Sequence, residues 1–251
     1  MTGRIDVSEE RGVRYLHFGS TWIQGAMRIA RPWALELEYT RDMMVALLLR
    51  SDSLWPRNVL AIGLGAGSLP KFLYRYRSRA RVHVVEIDPA VITAARHFFR
   101  LPPDDPPRLS VELADGDEYV TRGDHEFDLM FVDGFDASGR AGALDTGRFY
   151  ARARNALGSR GLMVVNLLGR SRGYRASLER IATEFLGRTA SLHSPRGNVI
   201  VFAAVGDPIE LAFAELRRRA VELRQGTTLN LLPSIARLTA SVPAGAHGLA
   251  L

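Results

Sequence analysis

Cysteine is absent from the 251 residues. This excludes disulfides, thiolate metal sites and cysteine nucleophiles together, and it fits a reducing compartment. Lysine is almost absent too: Lys71 is the only one, so 32 of the 33 basic residues are arginine. No apolar run reaches the ~18 residues that a membrane span needs, and the opening MTGRIDVSEERGVRYL is too polar for a signal peptide. A cytoplasmic protein with no membrane partner is the expectation. His17, His83, His97, His125, His193 and His247 show no metal-ligand spacing, and no Ser–His–Asp order comes with a nucleophile elbow. No metal is expected. Internal repeats and low-complexity segments are missing as well.

What remains is ordinary globular material, 47% hydrophobic and 24% charged. The length suits one large domain, or one with a small appendage, and a chain of this size buries most of its apolar surface without staples. The formal net charge is +6, which taken alone would suit nucleic acid. The arginines, however, are spread along the chain. The densest groups are Arg75, Arg77, Arg79 and Arg81, and the run Arg217, Arg218, Arg219. A near-total use of one basic residue reads as a compositional habit, so a solvated basic surface is favoured over a polyanion site.

Residues 3–31 alternate with period two around SEERG and GS turns, as in a small antiparallel sheet. Residues 35–50 carry Leu35, Tyr39, Met43, Ala46 and Leu47 at helical spacing. From NVLAIG onward, short all-apolar runs alternate with helical patterns: VHVVEID, LSVELAD, FDLMFVD and GLMVVNLL are the following strands. SLHS and NVIVFAAV, split by PRG, predict a closing hairpin, and PIELAFAELRRRAVELRQ a final amphipathic helix. Such alternation predicts an α/β fold, a mainly parallel doubly wound sheet with helices on both faces. The expected organisation is an N-terminal β-domain over 1–34, a Rossmann-like domain over 35–240, and a loose tail over 241–251.

Gly63, Gly65 and Gly67 lie between a buried strand and a helix, where glycine permits a tight turn and close ligand approach. The spacing G-x-G-x-G differs from the dinucleotide pattern and also suits a purely structural turn. Glu86 ends the next strand, 21 residues after Gly65, where an acid can hold a ribose diol or serve the cap of the following helix. Asp115 and Gly116 end the third strand; Asp115 can accept from an adenine amino group or cap a helix. Asp133 and Asp136 follow the fourth strand, with turn formation as the alternative role. Ligands of open parallel sheets bind at the carboxyl ends of strands, so these groups converge on one crevice.

In this order, VLAIGLGAGSLPKFL, VEIDPAVITAARHFF, ADGDEYV, FDLMFVDGFD, AGALDTGRFYARARNAL and GLMVVN resemble the spermidine synthase (polyamine aminopropyltransferase) family. RYLHFGSTWIQ and LEYTRDMMVALLL are similar to that family's small β-domain and gate segment. The resemblance implies the Rossmann-like fold of S-adenosylmethionine-type methyltransferases, a homodimer, and transfer of an aminopropyl group from decarboxylated S-adenosylmethionine to an amine or polyamine, with no prosthetic group. By position it implies Glu86 on the ribose, Asp115 on the adenine, Gln24 beside the nucleoside and Tyr39 at the substrate. Asp133 would deprotonate the amine and Asp136 fix its cation.

The chain departs from the family pattern in three places. Ala66 stands where the glycine turn of the family has an aspartate, and Tyr39–Thr40–Arg41 stands where it has Tyr-Gln-Glu. Asp133-Gly134-Phe135-Asp136-Ala137 replaces D-S-S-D-P. A carboxylate ~4 Å from the donor's ammonium would contribute about 4 kcal/mol of attraction at an effective dielectric of ~20, before desolvation costs. Its loss at Ala66 opens two alternatives, an S-adenosylmethionine-dependent methyltransferase and a nucleoside-binding module without turnover.

Overall fold

The computed structural model describes residues 5–19, 22–52, 54–123, 126–134, 142–171, 173–242 and 247–251. Three strands, β1 (Ile5–Glu10), β2 (Val13–Phe18) and β3 (Ile23–Arg28), form the expected antiparallel N-terminal sheet. Leu16 and Met27 on its inner face join Ala66, Ala94 and Phe99 in one buried apolar cluster, which fastens the small sheet to the body.

The body is a seven-stranded sheet. Its parallel part comprises β4 (Asn58–Ile62), β5 (Arg81–Glu86), β6 (Leu109–Leu113), β7 (Phe127–Val132) and β8 (Leu157–Leu168). The hairpin of β9 (Thr189–His193) and β10 (Asn198–Ala204) closes it antiparallel, in the order β6-β5-β4-β7-β8-β10-β9. The chain leaves β4 toward β5 on one side and later returns to β7 on the other, so the order reverses between β4 and β7. That reversal opens a crevice above their carboxyl ends. Two apolar cores, one on each face, account for the apolar runs Val59–Ile62 of β4, Leu129–Val132 of β7 and Leu162–Val165 of β8.

Helices α2 (Ser68–Tyr76), α3 (Pro89–Phe98), α4 (Gly116–Tyr119), α5 (Gly147–Asn155) and α6 (Tyr174–Glu184) cross between strands, with α1 (Glu38–Met43) ahead of them. Their starts are written locally. Asp88 accepts from the Ala90 N–H at 2.8 Å ahead of Pro89 in the first turn of α3, and Thr146 accepts from the Phe149 N–H at 3.1 Å at the start of α5. The lone lysine is consumed in packing. Lys71 is buried, and its Nζ donates to the Phe99 carbonyl at 2.6 Å, satisfying the exit of α3. Burial and the nearby Arg100 lower its pKa to about 7.

Four local expectations are corrected. The helix read over 35–50 is shorter: α1 stops at Met43 and a 3-10 turn runs over Met44–Leu48, where all side chains are buried and no solvent face sets a period. PIEL does not begin a helix, because Glu210–Ala212 forms β11 and α7 starts at Phe213 (Phe213–Thr227). Nor is α7 the final helix; α8 (Leu232–Ser241) follows it. Of the tail, residues 243–246 lie outside the described residues, while β12 (Gly248–Ala250) pairs with β11, and Leu249 and Leu251 are buried in the main core.

Candidate active site

The crevice at the switch point is a cavity of about 350 Å³, within the usual range for small-molecule sites. Its floor is the glycine turn after β4. Gly63 has φ +92°, and a Cβ there would stand 2.3 Å from the Asp133 carbonyl oxygen, so the turn after β4 and the end of β7 approach closely only without a side chain. Gly65 lines the same floor at φ +52°. Gln24 and Gly25 of β3 form the facing wall, and exposed Trp22 and Ile87 stand at the rim.

Glu86 is buried at the end of β5. It accepts from the Leu64 N–H at 2.8 Å and from the Asp88 N–H at 2.9 Å, bracing the glycine turn against the start of α3. The cap of α3 is therefore Asp88, and Glu86 lines the cavity. Burial raises its pKa, with the backbone donors opposing. Asp115 also lines the cavity, and it is the N-cap of α4, accepting from the Asp117 and Glu118 N–H groups at 2.8 and 3.2 Å. Gly116 beside it packs against Ile62.

Asp133 sits at the end of β7. The Asn166 Nδ2 donates to its Oδ1 at 2.7 Å, and the nearby Tyr39 hydroxyl also favours the charged form of the carboxylate. Burial raises the Asp133 pKa, while both donors hold it down. Tyr39 is driven well above the ordinary phenol value by burial and by Asp133, so it stays protonated and donates. Asn166 in turn accepts from the Asn198 Nδ2 at 3.0 Å. Sequence reading missed both asparagines. The available signal was a polar residue at the end of the apolar run GLMVVN, and another opening NVIVFAAV.

The structure brings Gln24, Tyr39, Gly63, Gly65, Glu86, Asp115, Gly116 and Asp133 around one cavity. Asp136 lies outside the described residues. Arg41 is not among the residues lining the cavity, although its neighbours Tyr39 and Thr40 are. Ala66 is buried and faces Gly25, where a Cβ would lie 2.6 Å from the Ala66 Cβ. The glycine turn and β3 are packed that closely. Among the described lining residues there are three carboxylates, Glu86, Asp115 and Asp133, and no lysine, arginine or histidine. No group of three or more potential metal ligands is found among the described residues.

Residues 36–167 match the family model for the spermine/spermidine synthase domain. The polyamine aminopropyltransferase of Neisseria meningitidis serogroup A is 37% identical over 240 residues, covering 95% of this chain and 90% of that protein. The chain belongs to the spermine/spermidine synthase family. A probable spermidine synthase from Corynebacterium glutamicum superposes with a TM-score of 0.72 at 17% identity, covering 90% of this chain and 91% of that one. Human methyltransferase-like protein 13, solved in complex with SAH, superposes with a TM-score of 0.63 at 23% identity, covering 84% and 95%. The Rossmann-like methyltransferase fold is thus common to synthases and methyltransferases, and the sheet does not separate the two. Relatives matched over most of the chain are polyamine aminopropyltransferases.

Proposed function

We propose that this protein transfers the aminopropyl group of decarboxylated S-adenosylmethionine to an amine or polyamine, releasing methylthioadenosine. It is a transferase of the aminopropyltransferase family, acting in polyamine biosynthesis. The observation that carries the choice of donor is the acidic lining of the cavity. Both substrates of this reaction are cations, a sulfonium with an ammonium arm and a protonated amine, and a cavity whose described charged groups are all acidic has a field that suits them. S-adenosylmethionine itself would bring a carboxylate into a cavity whose described walls offer no basic side chain. The methyltransferase alternative is not favoured on that ground, even with alanine at position 66.

In this reading Glu86 and Asp115 meet the nucleoside, Gly63, Gly65 and Gly116 let it approach the backbone, Gln24 bounds it from the small sheet, and Tyr39 borders the amine. A sulfonium is already activated, so placement and a proton acceptor suffice. Asp133 takes a proton from the ammonium of the acceptor. The freed lone pair attacks the propyl carbon, the carbon–sulfur bond breaks, and methylthioadenosine leaves with the bond electrons on sulfur. Asp136 is proposed to hold the cationic acceptor. A cytoplasmic homodimer belongs to the same proposal. It is supported by the family resemblance and by the finding that no helix among the described residues is long and apolar enough to cross a membrane.

The test is methylthioadenosine release from decarboxylated S-adenosylmethionine with a panel of di- and polyamines. The wild type is expected to turn over. Asp133→Asn is expected to lose about 10²–10⁴ in kcat, as removal of a general base does, with nucleoside affinity retained. No release with any amine would overturn the proposal.

A further inference from the structure

We propose that Asn198 is a positioning residue for Asp133, acting through Asn166. An ionised carboxylate only accepts hydrogen bonds, so Asn166 must turn its NH₂ toward Asp133, and its carbonyl oxygen must then face away. A side-chain amide can rotate to exchange its two ends, and the wrong end would set a lone pair against the carboxylate. Asn198 removes that freedom. Its Nδ2 donates to the Asn166 Oδ1 at 3.0 Å, and the Asn166 Nδ2 donates to the Asp133 Oδ1 at 2.7 Å.

The sheet explains why these two amides meet. Asn166 on β8 lies opposite Ile200 on β10, and Asn198 stands two residues before Ile200, on the same face and diagonal to Asn166. Asn166 is only 4% exposed, so water cannot readily replace a lost partner. With Tyr39 on the same carboxylate, the base is held by donors arriving from α1 and β8, and its remaining lone pairs are left for the substrate. Among the described residues, the titratable groups near this carboxylate are Tyr39 from α1, then Glu86 from β5 and Asp115 ahead of α4 along the cavity wall. The strands β8 and β10 contribute only the two neutral amides there, so a change at Asn198 alters no charge.

The inference rests on the proposed function for its kinetic readout alone. The experiment is a 13C NMR titration of labelled aspartate side chains, with the Asp133 signal assigned by its loss in Asp133→Asn, run beside the pH dependence of kcat/KM. In Asn198→Leu the Asp133 midpoint is expected to rise by about 0.5 unit or more, because a hydrogen bond that favours the charged form is weakened. The acid limb of kcat/KM should move with it while KM for the nucleoside stays within about twofold. Asn198→Thr, which keeps a donor, should fall between the two, and Asn198→Ala serves in place of Asn198→Leu if that variant does not fold. Titration midpoints that superimpose on the wild type would overturn the inference. A wild type without turnover would defeat the proposed function instead, and the NMR midpoints would still judge Asn198.

Discussion

Asp133 is the base of the proposed reaction, and its protonation is set by opposed effects. Burial pushes its pKa up, while Asn166 and Tyr39 pull it down. Tyr39→Phe removes one of the two donors, so the Asp133 pKa should rise further. Because the base works ionised, activity should then be lost at a higher pH than in the wild type: the acid limb of kcat/KM moves up while the limb at high pH is unchanged. A pH–rate profile of the two proteins checks this, and an unmoved acid limb would contradict it. Much at this scale was legible in the sequence. Glu86, Asp115 and Asp133 each end an apolar run, and that position alone aims a side chain at the crevice. The amides were not legible, since Asn166 stands 33 residues beyond Asp133 and Asn198 a further 32, and only strand pairing brings them together. Nor was the place of Arg41, which depends on where α1 begins and how it turns.

Among the elements, α1 holds Tyr39 in place and is itself anchored by Asp42. That carboxylate is 1% exposed and accepts from Ser194 ahead of β10, from Ser234 of α8 at 2.6 Å and from Arg237 of the same helix. Three segments remote in sequence thus meet on one buried charge. Removing the cation leaves that charge with hydroxyl donors only, and such a loss costs about 3–5 kcal/mol. Arg237→Met should therefore lower stability by about that amount in urea unfolding, and Asp42→Asn in the same chain should recover part of it. An effect below about 1 kcal/mol, the median of a solvent-exposed pair, would show that the anchor contributes little. The sequence reading saw the strands and crossover helices because periodicity and caps are local signals. It missed α8 and the pairing of β11 with β12, whose ten-residue and three-residue lengths carry little pattern and whose stability comes from the surfaces they cover.

For the whole molecule, the sequence reading was ambiguous about charge. With alanine in place of the expected aspartate of the glycine turn, the sequence alone leaves open a donor that keeps its carboxylate. Among the described residues charge is segregated: no basic side chain lines the cavity, and three acids do. Ala66 lines the cavity and packs on Gly25 where the N-terminal sheet joins the body. On the proposed reading this acidic cavity selects the decarboxylated donor without an aspartate at position 66. Calorimetric titration of the protein with decarboxylated S-adenosylmethionine, and in parallel with S-adenosylmethionine, tests it most directly. The account predicts at least about tenfold tighter binding of the decarboxylated form, a difference of about 1.4 kcal/mol; equal or tighter binding of S-adenosylmethionine would contradict it.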